Sequence, residues 1–227
     1  MAGHIIAVVG GKGGVGKSVF SANLALAYLM ELRQRPLLID LDMSSLGDQN
    51  LILGVKSPKN IAEISRLQAG VFDLKLLQPF LATTPSGMSF ISAPTDQVQA
   101  RDLDPEGLGK LLKSVINIFP LTVVDCGSSI DATAVKVFEY ATMIFVITSQ
   151  DVIVVNQTKR AIGKIQEYLF PNEMIQVVLN RFNQSAIVNP QVIQKNLNRP
   201  FFAAVPDDPD TCSGSLARSQ PFVVSAP

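Results

Sequence analysis

The sequence predicts an α/β domain: a mainly parallel, twisted sheet of about seven or eight strands with helices on both faces. Three observations carry this expectation. Short apolar runs alternate with helical segments along the chain. A glycine-rich pattern, G-x-x-x-x-G-K-[ST], joins the first run to the first helical segment at Gly11–Ser18. The 227 residues, 47% of them apolar, suffice for one substantial core, so positions 1–227 read as a single domain.

The elements follow in order. His4–Val9 (HIIAVV) is a short apolar run, as a buried strand should be. Val19–Leu32 (VFSANLALAYLMEL) is apolar and rich in good helix formers. Pro36–Asp42 (PLLIDLD) is a second strand ending in two carboxylates, and alternation puts Asp40 and Asp42 on one side of it. Ile61–Leu67 reads as a helix, Thr83–Gly87 as a turn and Met88–Ser92 as a strand. Pro105–Phe119 has Leu108, Leu111, Leu112, Val115 and Phe119 at helical spacing, with Asp104 as N-cap and Pro105 at the first position. Leu121–Val124 is a strand followed by Asp125, and Met143–Thr148 is another. Val155–Phe170 is helical and stops at Pro171; Val177–Leu179 is a strand; Pro190–Leu197 is a helix; Phe201–Val205 is the last strand. Gly11, Asp42, Asp125 and Asn180 each fall just after an expected strand, and the carboxyl ends of parallel strands are where ligands bind.

The glycine-rich pattern is a phosphate loop, so the expected fold is that of a single-domain P-loop NTPase. Gly11, Gly13, Gly14 and Gly16 let the backbone turn its N–H groups onto phosphate oxygens, with Val15 carried between them. Lys17 supplies an ammonium to the β/γ-phosphates, and the Ser18 hydroxyl is the expected Mg²⁺ ligand. The helix opening at Ser18 and Val19 turns its positive end to the same anion. Asp125, at a strand end, is the expected carboxylate that holds Mg²⁺ through water. Lys12 is a second lysine that one subunit's own phosphates do not need.

Lys12–Ser18 (KGGVGKS) resembles the loop K-G-G-x-G-K-[ST] of the MinD/ParA family of deviant Walker A P-loop ATPases. That resemblance implies ATP/ADP and Mg²⁺ as cofactors, hydrolysis of ATP, and an ATP-dependent homodimer. It implies that Lys12 reaches across to the other subunit's phosphates, as an arginine finger does elsewhere for a gain of ~10³–10⁵ in rate. Lys12, Lys17 and Asp42 are then the catalytic residues, with Asp42 positioning the attacking water. Asp40 sits in the switch region and joins Ser18 and Asp125 around the metal. Asn180 and Arg181, after Val177–Leu179, and the loop Pro206-Asp207-Asp208 are implied to contact the adenine, although such residues also suit plain turns. Relatives often have proline after the metal-binding aspartate; here Cys126-Gly127-Ser128-Ser129 follows.

Within that family, Leu41–Gly54 resembles the L-D-x-x-x-G-D-x-x-x-x-L-G region of CpaE/TadZ proteins. Val177–Arg181, Asn198–Ala203, Val205–Asp208 and Gln220–Val223 read the same way. The resemblance implies type IVb pilus or secretion assembly, with protein components of that apparatus as partners. Only three residues precede the first strand, so the receiver-like domain of many such relatives is not expected; nor is the membrane helix of MinD, since the chain stops at Pro227 soon after Pro221–Val224. Either membrane contact is then indirect or this chain is a piece of a longer protein.

Composition narrows the alternatives. Lys plus Arg equal Asp plus Glu at 19 each, so the field for bulk DNA is weak. The two cysteines, Cys126 and Cys212, form no C-x-x-C, which argues against zinc and iron–sulfur sites. A single histidine, His4, leaves little material for Ser–His or Cys–His triads. No apolar run approaches the ~18–20 residues of a spanning helix, and no signal peptide is legible, so the expected place is the cytoplasm. A nucleotide-gated scaffold with negligible hydrolysis stays open because of the Cys126–Ser129 departure. Carboxylate-activating ligases sharing the fold are disfavoured by Lys12.

Overall fold

A computed structural model describes residues 2–225. Met1 and Pro227, on which the expectations about the chain's ends rest, lie outside the described residues. The chain runs β1 (His4–Gly10), α1 (Lys17–Leu32), β2 (Leu37–Asp40), α2 (Asp48–Leu53), α3 (Ile61–Ser65), α4 (Leu74–Leu77), β3 (Ala82–Thr83), β4 (Ser89–Ile91), α5 (Gln97–Arg101), α6 (Pro105–Val115) and β5 (Leu121–Asp125). It continues α7 (Ala132–Phe138), β6 (Met143–Thr148), α8 (Val152–Glu167), β7 (Ile175–Phe182), α9 (Pro190–Leu197), β8 (Phe201–Pro206), α10 (Pro209–Ala217) and α11 (Phe222–Ser225).

The strands form one eight-stranded sheet in the order β3-β4-β2-β5-β1-β6-β7-β8, parallel except for β3. Alternation along each strand feeds two cores. Ile5, Ala7, Val9, Leu37 and Ile39 face the core built with α6, α7 and α8. Val8, Leu38, Val123 and Phe145 face the core under α1. The central strands are buried on both faces, as parallel strands between helical layers must be.

Several boundaries differ from the sequence expectation. The second strand ends at Asp40 rather than Asp42, because Leu41 and Asp42 turn into a bend with Ser45 N–H on the Asp42 carbonyl at 3.2 Å. β7 runs to Phe182, so Asn180 lies inside a strand and not after it. Ala82 and Thr83 pair antiparallel with β4, making Thr83 the end of an eighth strand before the turn. α8 begins at Val152, earlier than expected, because Asp151 caps it by accepting from Val154 N–H at 2.9 Å. α6 ends at Val115, before the expected Phe119. His4 opens β1 and is exposed.

Helix starts fall into two kinds. From α3 to α10 every N-cap is Asp or Asn, each accepting a first-turn N–H. α1 and α2 begin instead on Gly16 and Gly47, both left-handed and with no side-chain cap. Those two helices alone among α1 to α10 leave their first N–H groups open, and both start beside the carboxyl ends of β1 and β2.

Close backbone packing gives a direct check of this layer arrangement. A Cβ at Gly107 of α6 would stand 1.6 Å from the Ser65 carbonyl oxygen at the end of α3. Alanine is the better helix former by ~1 kcal/mol, yet Gly107→Ala is expected to destabilise the chain by ~1–3 kcal/mol through overpacking. Chemical denaturation measures this; a stabilised variant contradicts the α3–α6 contact.

Candidate functional site

The loop between β1 and α1 turns on glycine backbone. Gly14 and Gly16 hold φ of 78° and 89°, a region other residues enter at a cost. Gly13 and Gly14 have nothing within 4 Å of where a Cβ would sit, so their backbone is open to a ligand. Gly11 is pressed from behind: a Cβ there would stand 2.3 Å from the Gln157 backbone in α8. The uncapped N–H groups at the start of α1 point into the loop, and no acidic residue in that first turn offsets them.

The two lysines are placed differently. Lys17 is 5% exposed and its Nζ donates to the Lys12 carbonyl at 3.4 Å, closing the ammonium over the loop. Lys12 is exposed, and its own ammonium makes no hydrogen bond or ion pair among the described residues.

Three carboxylates gather beside the loop. Strand pairing sets Asp40 of β2 directly against Asp125 of β5, and both are fully buried. Asp40 Oδ1 accepts the Asp42 N–H at 3.0 Å, while Oδ2 has no partner. Asp125 accepts from Gln49 Nε2 at 3.0 Å and from the Gly127 N–H at 3.3 Å. Burial, followed by the charge of Asp125, pushes the Asp40 carboxyl well above its usual range. Burial likewise raises Asp125, against the pull of Ser18 and Gln49.

Asp42 is 8% exposed and accepts from the Ser44 N–H at 3.1 Å and from the Ser44 hydroxyl. It also lies against Gly127, where a Cβ would meet its Cγ at 2.7 Å. Gly127 has φ of 67°, so glycine at this position satisfies both the turn and the space. The residues Cys126–Ser129 thus form a turn fitted to Asp42, with Cys126 N–H on the Val8 carbonyl at 2.8 Å and the Gly127 carbonyl taking the Gly10 N–H at 3.2 Å. Burial holds the Cys126 thiol protonated, its acidity further weakened by Asp125.

Asn180, Arg181, Pro206, Asp207 and Asp208 meet at the carboxyl ends of β7 and β8. Asn180 Nδ2 donates to the Val15 carbonyl at 2.8 Å, supporting the loop from behind and allowing only glycine at position 16, where a Cβ would be 2.4 Å away. Arg181 is exposed in a left-handed bulge. Pro206 pairs with Phe182, whose carbonyl accepts the Asp207 N–H at 3.0 Å. The Asp208 carboxylate caps α10 through the Thr211 N–H at 2.9 Å, which lowers its pKa. Val19 lies in the first turn of α1, with its carbonyl taken by Asn23 Nδ2 at 2.8 Å. Gln49 and Ser44 are site residues the sequence reading did not single out, and Gly127 entered it only within the Cys126–Ser129 departure.

The donor set suits Mg²⁺, a hard cation that keeps several waters. Ser18 Oγ, Asp125 and the unpartnered Asp40 Oδ2 are oxygens, and two buried carboxyls side by side favour a neutralising cation. Among the described residues no cluster of three or more His, Cys, Asp or Glu side chains is arranged to hold a metal by itself.

Residues 6–221 match the family model "CobQ/CobB/MinD/ParA nucleotide binding domain". The chain belongs to this family. It is 25% identical over 214 residues to the septum site-determining protein MinD of Thermotoga maritima, covering 92% of this chain and 77% of that protein. The solved ParA family ATPase from Chlorobium tepidum superposes with a TM-score of 0.90 at 26% identity, covering 100% of this chain and 94% of that one. The Pyrococcus horikoshii MinD complexed with Mg-ADP shares the fold, with a TM-score of 0.82 at 22% identity and coverage of 99% and 89%.

The buried acids make a pH prediction for the ligand-free chain. With folded pKa values raised, the stability they contribute is complete below the ordinary carboxyl range and is lost as pH rises through the raised values. Asp40→Asn keeps the shape without the charge. It is expected to raise the melting temperature at neutral pH and to flatten its decline between mildly acidic and neutral pH. Equal lowering at every pH contradicts this electrostatic picture.

Proposed function

We propose that this chain is an ATP-dependent dimerising switch that hydrolyses ATP and positions or assembles a cellular machine. The observation that carries the proposal is the division between the two lysines: one closed over its own loop, the other exposed on the rim beside open glycine backbone. Lys17 and the uncapped start of α1 bind the β/γ-phosphates of the chain's own ATP. Mg²⁺, when bound through Ser18, Asp125 and Asp40, neutralises charge on those phosphates. Asp42 orients the attacking water. Lys12 serves the phosphates of a second copy, so hydrolysis waits for pairing. Asn180, Arg181 and the Pro206–Asp208 loop flank the adenine; the second Asn180 N–H and its Oδ1 remain for the base.

The machine is best read as a type IVb pilus or secretion assembly, on the CpaE/TadZ-like stretches Leu41–Gly54, Val177–Arg181, Asn198–Ala203, Val205–Asp208 and Gln220–Val223. A division or partition role of MinD/ParA type is the alternative. Among the described residues no helix is long and apolar enough to cross a membrane. A second reading, a nucleotide-gated scaffold with negligible hydrolysis, is favoured by one feature: the Asp42 carboxylate is already engaged by Ser44.

Single-turnover phosphate release separates these readings. The wild-type chain is expected to release phosphate, and Lys12→Ala to bind ATP yet release phosphate ~10³-fold more slowly or worse. Unchanged release in that variant contradicts the role in trans. No release from the wild type, with or without a pilus partner or lipid, favours the scaffold.

A further inference from the structure

Gln49 is buried in the middle of the site, 1% exposed, on a helix of only six residues. Its Nε2 donates twice, to the Ser18 carbonyl in the first turn of α1 and to Asp125 Oδ2 at the end of β5, both at 3.0 Å. One amide therefore joins three elements that are far apart in sequence: the phosphate loop's helix, the metal-side carboxylate and α2. Its Oε1 is buried with no partner. A buried amide carbonyl left unbonded costs stability, so packing alone does not account for glutamine here.

The next residue faces the other way. Asn50 Nδ2 donates to Ser92 Oγ at 2.7 Å and to the Gly47 carbonyl at 3.2 Å, and its Oδ1 accepts from Ser57 at 3.2 Å. α2 is thus clamped by Gln49 on the site and by Asn50 on the loop after β4. Glycine in the left-handed region ends it at both sides, Gly47 and Gly54. A helix this short has little stability of its own and takes its position from such ties.

We propose that Gln49 is a positioning residue that aims the Asp125 carboxylate at the metal and makes the placement of α2 depend on whether metal and nucleotide are bound. The inference rests on the Mg²⁺–nucleotide reading of the site. An N–H held on Oδ2 fixes the carboxylate's rotation and leaves its remaining lone pairs for the cation's shell. Any shift of Asp125 or of the first turn of α1 on loading is passed to α2 through the same nitrogen. Outer partners of this kind set metal affinity and not only shape.

The test uses Gln49→Met, which keeps an unbranched side chain without the amide, and a fluorescent ATP analogue titrated with Mg²⁺ and, separately, in EDTA. The expected result is a Mg²⁺ half-saturation ~10–100-fold weaker than wild type with binding in EDTA nearly unchanged. Equal weakening in both conditions marks a merely structural role and overturns the proposal, as does an unchanged half-saturation. Hydrogen exchange on the wild type needs no variant: protection across residues 48–53 is expected to rise with Mg²⁺ and nucleotide together beyond either alone. Unchanged protection there overturns the coupling while leaving the nucleotide reading intact. A wild-type chain that binds no nucleotide in either condition overturns both readings together.

Discussion

Two aspartates pressed together inside the molecule set the terms for everything around them. Asp40 and Asp125 are neighbours across β2 and β5, fully buried, with one oxygen of Asp40 left unpaired. Two like charges in such a place are tolerated only if a proton or a cation joins them. The fold puts the remedy close by. The glycine loop, Lys17 and the open start of α1 suit a polyphosphate, and a cation held by Ser18, Asp125 and Asp40 would supply positive charge to both sets of negative groups.

The same logic explains the contrast in helix starts. Eight helices, α3 to α10, close their first turns with Asp or Asn. The two at the site keep theirs open on glycine. An acidic cap on α1 would place a carboxylate where phosphate is meant to sit. Lys12 is the one loop cation that the chain's own geometry does not use, and its exposure on the rim is the basis for reading the site as half of a shared one.

Much of this was legible in the sequence, for identifiable reasons. The loop pattern is local, and its glycines and lysines keep their meaning wherever the chain folds. The strands carrying Asp40 and Asp125 are dense apolar runs that end in a charge. Asp104 before Pro105 marked a helix start that the structure keeps. Strand order was not legible: nothing local says that β2 lies beside β5, so the Asp40–Asp125 contact emerges only from the sheet. The six residues of α2 are too few to show a helical period, and Gln49 looked like any polar residue between apolar ones. The Gly127 turn was visible as a departure from relatives, but its fit to Asp42 depends on a contact across the sheet's end. At Asp208 the structure adds a role that the sequence reading did not name, since its carboxylate caps α10.

The central claim is that two copies close over Mg²⁺ and a triphosphate. Its most direct test is the mass in solution by light scattering, with Mg²⁺ and either ADP or a slowly hydrolysed ATP analogue. A monomer with ADP that becomes a dimer with the analogue is the predicted result. A mass that stays the same in both nucleotides, at concentrations where each is bound, contradicts it.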